Sequence, residues 1–241
     1  MSGHSKWNNI KRKKEKTDAA KAKVFTKIGR EISVIVKQGG PNPAENSKLK
    51  DAIAKAKAAN VPNDNIERII SKAAGEADGS NYEELIYEGY GPSGVAVVVE
   101  TLTDNRNRTA GDIRHYFDKC GGNLGQSGSV MFMFDRKGII EIEGEGKDED
   151  KALEDALEAG AEDFSFDGDV FEIQTAPNDL GAVRDALEAQ GYEFLTAEVQ
   201  YVPKTTTSLE GEAAEKMEKL LDMLEDNDDV QNVWHNLSDE D

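Results

Sequence analysis

The sequence predicts an α+β protein in which an N-terminal three-helix domain precedes two α/β domains, at least one of them ferredoxin-like. Three observations lead there. Up to position 75 apolar residues recur at helical spacing, and after a polar break at 76–81 the apolar residues cluster in short runs of strand type. Between 138 and 202 the elements fall in the order strand, helix, strand, strand, helix, strand, that of a ferredoxin-like domain. With 241 residues, 37% of them apolar, the chain can build two or three cores.

The first helix is read between Thr17 and Gln38, where Val24, Phe25, Ile28, Ile32, Ile35 and Val36 form an apolar face and Gly39-Gly40-Pro41 stops the run. A second follows at about 46–59 with Leu49, Ala52, Ile53 and Ala56 inward. A third spans about 63–74 with Ile66, Ile69 and Ile70 inward, started by Pro62 and ended by Gly75. The polar stretch 76–81 then marks a boundary.

Beyond it, Val95 to Leu102 reads as a buried strand, Thr109 to Cys120 as a helix stopped by Gly121-Gly122, and Val130 to Phe134 as a strand, giving a β-α-β unit. The ferredoxin-like order continues with a strand at Gly138 to Ile142, a helix at Asp148 to Ala159, two strands about Asp167-Gly168, a helix at Leu180 to Gln190 and a strand at Glu198 to Val202. Its helices echo each other, Ala152 to Ala159 reading ALEDALEA and Ala182 to Ala189 reading AVRDALEA, so Ala and Leu are expected to face one sheet. A last helix near 210–224, with Met217, Leu220, Leu221 and Leu224 inward, leads to a strand at Val230 to Trp234. If these two complete the sheet begun at Val95, the ferredoxin-like unit is inserted in the middle domain. The expected domains are 1–75, then 82–134 plus 204–241, with 135–203 as the ferredoxin-like part.

No apolar run reaches the roughly 18 residues of a membrane span, and the N-terminus lacks a signal-peptide core. A cytoplasmic protein is expected. Cys120 is the single cysteine, so no internal disulfide is possible, and no Cys/His cluster has metal-ligand spacing. Gly89-Tyr90-Gly91-Pro92-Ser93-Gly94 matches G-x-G-x-x-G, but it precedes a strand where a dinucleotide motif would follow one. His115 and Cys120 share a helix but not a face, and Asp226-Asn227-Asp228-Asp229 lacks the glycine of a calcium loop. No catalytic residue, metal or small-molecule cofactor is therefore expected.

Charge carries the functional signal. Residues 1–75 hold 17 lysines and arginines against 7 acids, a balance of +10, while the rest holds 12 against 41, or −29. Lys6, Trp7, Lys11, Arg12, Lys13 and Lys14 form a basic arm, and at about 100° per residue Lys16, Lys23, Lys27, Arg30 and Lys37 fall on one helical stripe roughly opposite the apolar face. Cations so placed suit phosphates, and Trp7 either stacks on an unpaired base or packs on the bundle. A second candidate is Asn105, Arg106, Asn107 and Arg108, at a helix start whose cap is read as Thr109 with Asp112. There the arginines either hold a phosphate or carboxylate, or pair with local acids such as Asp104.

These residues also carry a resemblance. Gly3-His4-Ser5-Lys6-Trp7, Phe25-Thr26-Lys27, Tyr87-Glu88-Gly89-Tyr90-Gly91-Pro92, Leu102 to Thr109 (LTDNRNRT), Gly121 to Gly125 (GGNLG) and Gly128-Ser129-Val130 resemble the YebC-type family of bacterial transcriptional regulators, over essentially the whole chain. The resemblance implies three domains and no enzymatic activity. It also implies a DNA-binding transcriptional regulator, or alternatively a ribosome-associated translation factor that relieves stalling at proline-rich stretches by contacting ribosomal RNA or tRNA. Either way the expected partner is nucleic acid, not a membrane.

Overall fold

The computed structural model of the chain describes residues 18–75 and 82–238. In chain order its elements are α1 (Asp18–Gly39), α2 (Ser47–Ala58), α3 (Asn63–Gly75), β1 (Glu83–Tyr90), β2 (Ala96–Thr103), α4 (Arg106–Lys119), β3 (Asn123–Leu124), β4 (Phe134–Glu143), α5 (Glu149–Ala159), β5 (Asp163–Phe166), β6 (Val170–Thr175), α6 (Leu180–Ala189), β7 (Thr196–Pro203), α7 (Gly211–Asp226) and β8 (Val230–His235). Short 3₁₀ turns occupy Pro92–Gly94 and Met131–Met133. The fold is α+β, and the described residues form two compact units, 18–75 with 136–200 and 82–135 with 201–238.

In the first unit α1 to α3 bury the faces their periodicity marks: Ile28, Ile32 and Val36 meet Leu49, Ala52, Ala56 and Ile66. Val24 is the exception and stands exposed. Asn46 sets the turn between α1 and α2. Its side-chain oxygen caps α2 by accepting from the Leu49 N–H, while its amide donates to the carbonyls of Ile35 and Gly40 at the end of α1.

The ferredoxin-like part of the same unit has the strand order β5-β6-β4-β7. Helices α5 and α6 cover one face, against Ile140, Ile142, Phe171 and Ile173. The echo between these helices misleads about their faces. Helix α6 buries Val183 and Leu187, whereas α5 buries Ala152 and Ala156 and leaves Leu153 37% and Leu157 54% exposed. The two helices thus turn faces one residue apart to the same core, about 100° of helix rotation.

Ion pairs from Asp51, Lys50 and Lys55 join the helical bundle to the ferredoxin-like part. Arg184 of α6, 2% exposed, donates to Asp51 of α2 at 2.7 Å and to its neighbour Asp185 at 3.0 Å. Lys50 pairs with Asp185, and Lys55 reaches both Glu31 of α1 at 3.1 Å and Glu198 of β7 at 3.5 Å.

On the sheet face away from α5 and α6, Glu141 and Glu172 are cross-strand partners and both buried. Thr196 donates to Glu141 and Gln174 to Glu172. Burial, opposed by the Gln174 bond and reinforced by Glu141, Asp163 and Asp167, pushes Glu172 up to about 7. Since the folded value lies above the unfolded value of 4.5, the stability gained from a neutral Glu172 is complete below the latter and lost as pH rises through about 7. Glu172→Gln should therefore be more stable than the wild type by about 2–3 kcal/mol at pH 8. Urea unfolding at pH 5 and pH 8 checks this, the advantage largely vanishing at the lower pH.

In the second unit the strand order is β3-β1-β2-β8. The VAVVVETL run is buried except at Glu100: Val95, Val97 and Val99 pack on Ile113 and Phe117 of α4 and on Met217, Leu220 and Leu224 of α7. Ala96 and Val98 face Val130, Phe134 and Trp234 on the other side. The expected β-α-β unit is not formed. Glu83–Tyr90 is a strand paired antiparallel with β2, the segment after α4 pairs only through Asn123 and Leu124, and Met131–Met133 is a 3₁₀ turn with β4 starting at Phe134. Strand β8 pairs antiparallel with β2, so the C-terminal elements complete the sheet begun at Val95.

Candidate nucleic-acid interface

Of the residues expected to contact nucleic acid, Lys6, Trp7, Lys11, Arg12, Lys13, Lys14 and Lys16 lie outside the described residues. On α1, Lys37 is exposed while Lys23, Lys27 and Arg30 are half-buried. Val34 falls on the same stripe between Arg30 and Lys37 and is only 7% exposed. The described part of the stripe is thus a partly covered edge of α1 and not an open ridge.

At the start of α4 the structure shows one of the two readings of Asn105 to Arg108, the pairing of an arginine with local acids. Asn105, not Thr109, is the N-cap, accepting from the Arg108 N–H at 3.1 Å. Thr109 lies inside the helix, buried, and its hydroxyl bonds to Thr103 and to Asp229. The Asp229 carboxylate receives Arg108 at 2.7 Å, Thr109 at 2.8 Å and Thr103 at 3.2 Å, and Arg108 also holds Asp104 at 2.9 Å.

Burial pushes the Asp229 carboxyl up, but bonds from Arg108 and Thr109 outweigh it and hold the group below its ordinary value. Its bonds to Asp229 and Asp104 raise Arg108. The carboxylate that this helix start attracts is therefore the chain's own. Arg106 and Asn107 remain exposed, and Arg106 acts electrostatically on Tyr87.

Sequence reasoning missed Glu88 and Phe132. Glu88 is a buried carboxylate in β1 that accepts backbone N–H groups from Gly128 at 2.6 Å, Val130 at 2.9 Å and Met131 at 2.8 Å. Its own carbonyl takes the Gly125 N–H at 2.7 Å. Burial acts to raise its pKa, yet the three N–H bonds bring it below the ordinary carboxylate value. One residue thereby organises the loop 125–131, and Tyr90 adds a bond from its hydroxyl to the Ser129 carbonyl. Close packing fixes Gly122 as well: a Cβ there would lie 2.4 Å from the Tyr90 carbonyl oxygen. Phe132, at the top of the following turn, is 67% exposed.

His115 is exposed on α4, and Cys120 is buried at its C-cap. Among the described residues no group of three or more His, Cys, Asp or Glu could hold a metal ion, and no helix is long and apolar enough to cross a membrane.

Family models account for nearly all of the chain. One described as the TACO1/YebC protein N-terminal domain matches residues 5–76, and one described as the TACO1/YebC second and third domain matches 82–237. The chain is 64% identical over 238 residues to a protein of Acetivibrio thermocellus named a probable transcriptional regulatory protein, covering 98% of each. A protein of the same name from Caldicellulosiruptor saccharolyticus is 58% identical over 241 residues, covering 100% of each. The crystal structure of a conserved hypothetical protein from Aquifex aeolicus is similar with a TM-score of 0.82 and 48% identity, over 92% of each chain.

Proposed function

Since the chain belongs to the TACO1/YebC family, we propose that it is a regulator of gene expression that binds nucleic acid, DNA in the first instance, in the cytoplasm and without catalysing a reaction. The observation that carries this is the charge partition, +10 over residues 1–75 against −29 over the rest. Clustered cations neutralise phosphates and release counterions, giving affinity that falls steeply with salt. The acidic remainder repels the same polyanion and directs the first encounter to the basic end. The names of the close relatives, probable transcriptional regulatory proteins, support the DNA reading.

Reversing Lys11, Arg12, Lys13 and Lys14 to Glu should weaken binding of a mixed-sequence duplex at least about 30-fold in low salt and flatten the salt dependence, whose slope is about −0.9 per phosphate contact. Fluorescence anisotropy of the full chain reads both, and unchanged affinity with an unchanged slope would overturn the assignment of the arm. Crosslinking in growing cells, with bound DNA and bound RNA both sequenced, then names the target. Enrichment at promoters supports the transcriptional regulator, and enrichment on ribosomal RNA or tRNA replaces it with a translation factor.

A further inference from the structure

Phe132 is the most exposed large apolar side chain among the described residues, at 67%. Its backbone is nevertheless fixed. The Met131 N–H is held by Glu88 at 2.8 Å and the Met133 N–H by the Val130 carbonyl at 2.9 Å, while the carbonyls of Phe132 and Met133 accept from the Lys204 side chain at 3.1 Å and the Lys204 N–H at 2.9 Å. Met131 and Met133 pack inward with Ala96, Val98, Trp234 and Tyr201. A ring presented outward on an anchored turn loses little freedom when a partner covers it.

The chemistry around the ring narrows the partner. None of the residues 121–134 or 201–209 is acidic, in a chain where 48 of 241 are. Exposed Gln126, Ser127, Thr205 and Thr206 supply neutral donors within these runs, and Lys204 supplies an ammonium beside the ring's own carbonyl. Lys204 also pairs with Asp135 at 3.3 Å, both half-exposed. A phosphate can displace such a pair, since exposed ion pairs hold weakly.

We propose that Phe132 is a stacking platform for an unpaired base of a bound nucleic acid, with Lys204 taking the adjoining phosphate. This rests on the nucleic-acid reading above and adds a second contact outside the basic end. Stacking of bases on protein aromatics tolerates any sequence and needs a flat exposed ring beside a cation.

The test uses the full chain as wild type, Phe132→Ala and Phe132→Trp, titrated with a thymidine oligonucleotide carrying one 2-aminopurine and, separately, with a mixed-sequence duplex. The wild type and the Trp variant should quench the 2-aminopurine on binding. The Ala variant should bind the strand about tenfold more weakly and leave the probe bright, with duplex affinity and melting temperature unchanged. Equal strand affinity and quenching for wild type and Phe132→Ala overturns the stacking role and assigns the ring to a protein partner. A wild type that binds duplex but not strand overturns the stacking role alone; one that binds neither overturns the nucleic-acid reading with it.

Discussion

Glu88→Ala should lower the unfolding free energy by about 3–4 kcal/mol at pH 7, the larger part from stranding the N–H groups of Val130 and Met131. Those donors sit under the sheet, Val130 fully buried, whereas the exposed Gly128 can turn to water. Glu88→Gln should lose about half as much, because its amide oxygen still accepts while its NH₂ opposes a backbone donor. With its carboxyl held below the ordinary value of 4.5, Glu88 stabilises fully above that pH, and the contribution fades as pH falls through the folded value. Denaturant melts should therefore show the gap between wild type and Glu88→Ala narrowing in acid. A gap that is constant with pH would mean that shape, not charge, is what the loop requires.

Arg184→Ala is the second large effect, about 3 kcal/mol, and its origin differs. Breaking a buried ion pair usually harms the fold by leaving a charge without water. Here the partners Asp51 and Asp185 have side chains 49% and 40% exposed, so they rehydrate once the guanidinium is gone. What is lost is chiefly the packing of the arginine stem between α2 and α6. Arg184→Met keeps that stem and should fall only about 1 kcal/mol below the wild type. Equal losses for the Ala and Met variants in urea unfolding would show instead that the charge itself holds the bundle on the sheet.

How much of this was legible in the sequence follows from which forces act locally. Helices α1 to α3 and the order of the ferredoxin-like elements could be read because Ile and Val recur at helical spacing and Gly or Pro ends each run. Strand β1 could not, because Glu83, Glu84 and Glu88 suppress its β character, and the pairing with β2 that overrides them is a tertiary fact. The echo ALEDALEA could not reveal its buried stripe, since alanines and leucines both repeat at four. The sheet accepts the alanines of α5, which lets that helix come close, and leaves Leu153 and Leu157 outside.

The candidate sites divide the same way. Cationic residues could be found by composition, but the structure was needed to show Val34 buried in their stripe on α1. The anion at the start of α4 was foreseeable as chemistry and not as identity, because Asp229 lies 121 residues from Arg108 in the chain. Glu88 stood within a motif of the resemblance, but nothing in the sequence pattern showed its role. A single acid within a strand announces neither burial nor the loop donors that satisfy it.

The pairing of β2 with β8 has a consequence for how the protein is made. Ala96 at the start of β2 binds Asn236, just past β8, across 140 residues of chain. As synthesis proceeds, β2 has β1 on one side at once, while its other edge stays without a partner until nearly all the rest of the chain has left the ribosome. An apolar strand with an unpaired edge templates association between copies. The interval before β8 arrives is thus when nascent chains are most prone to join one another. The ferredoxin-like segment, whose contacts are nearer in sequence, can fold during that interval.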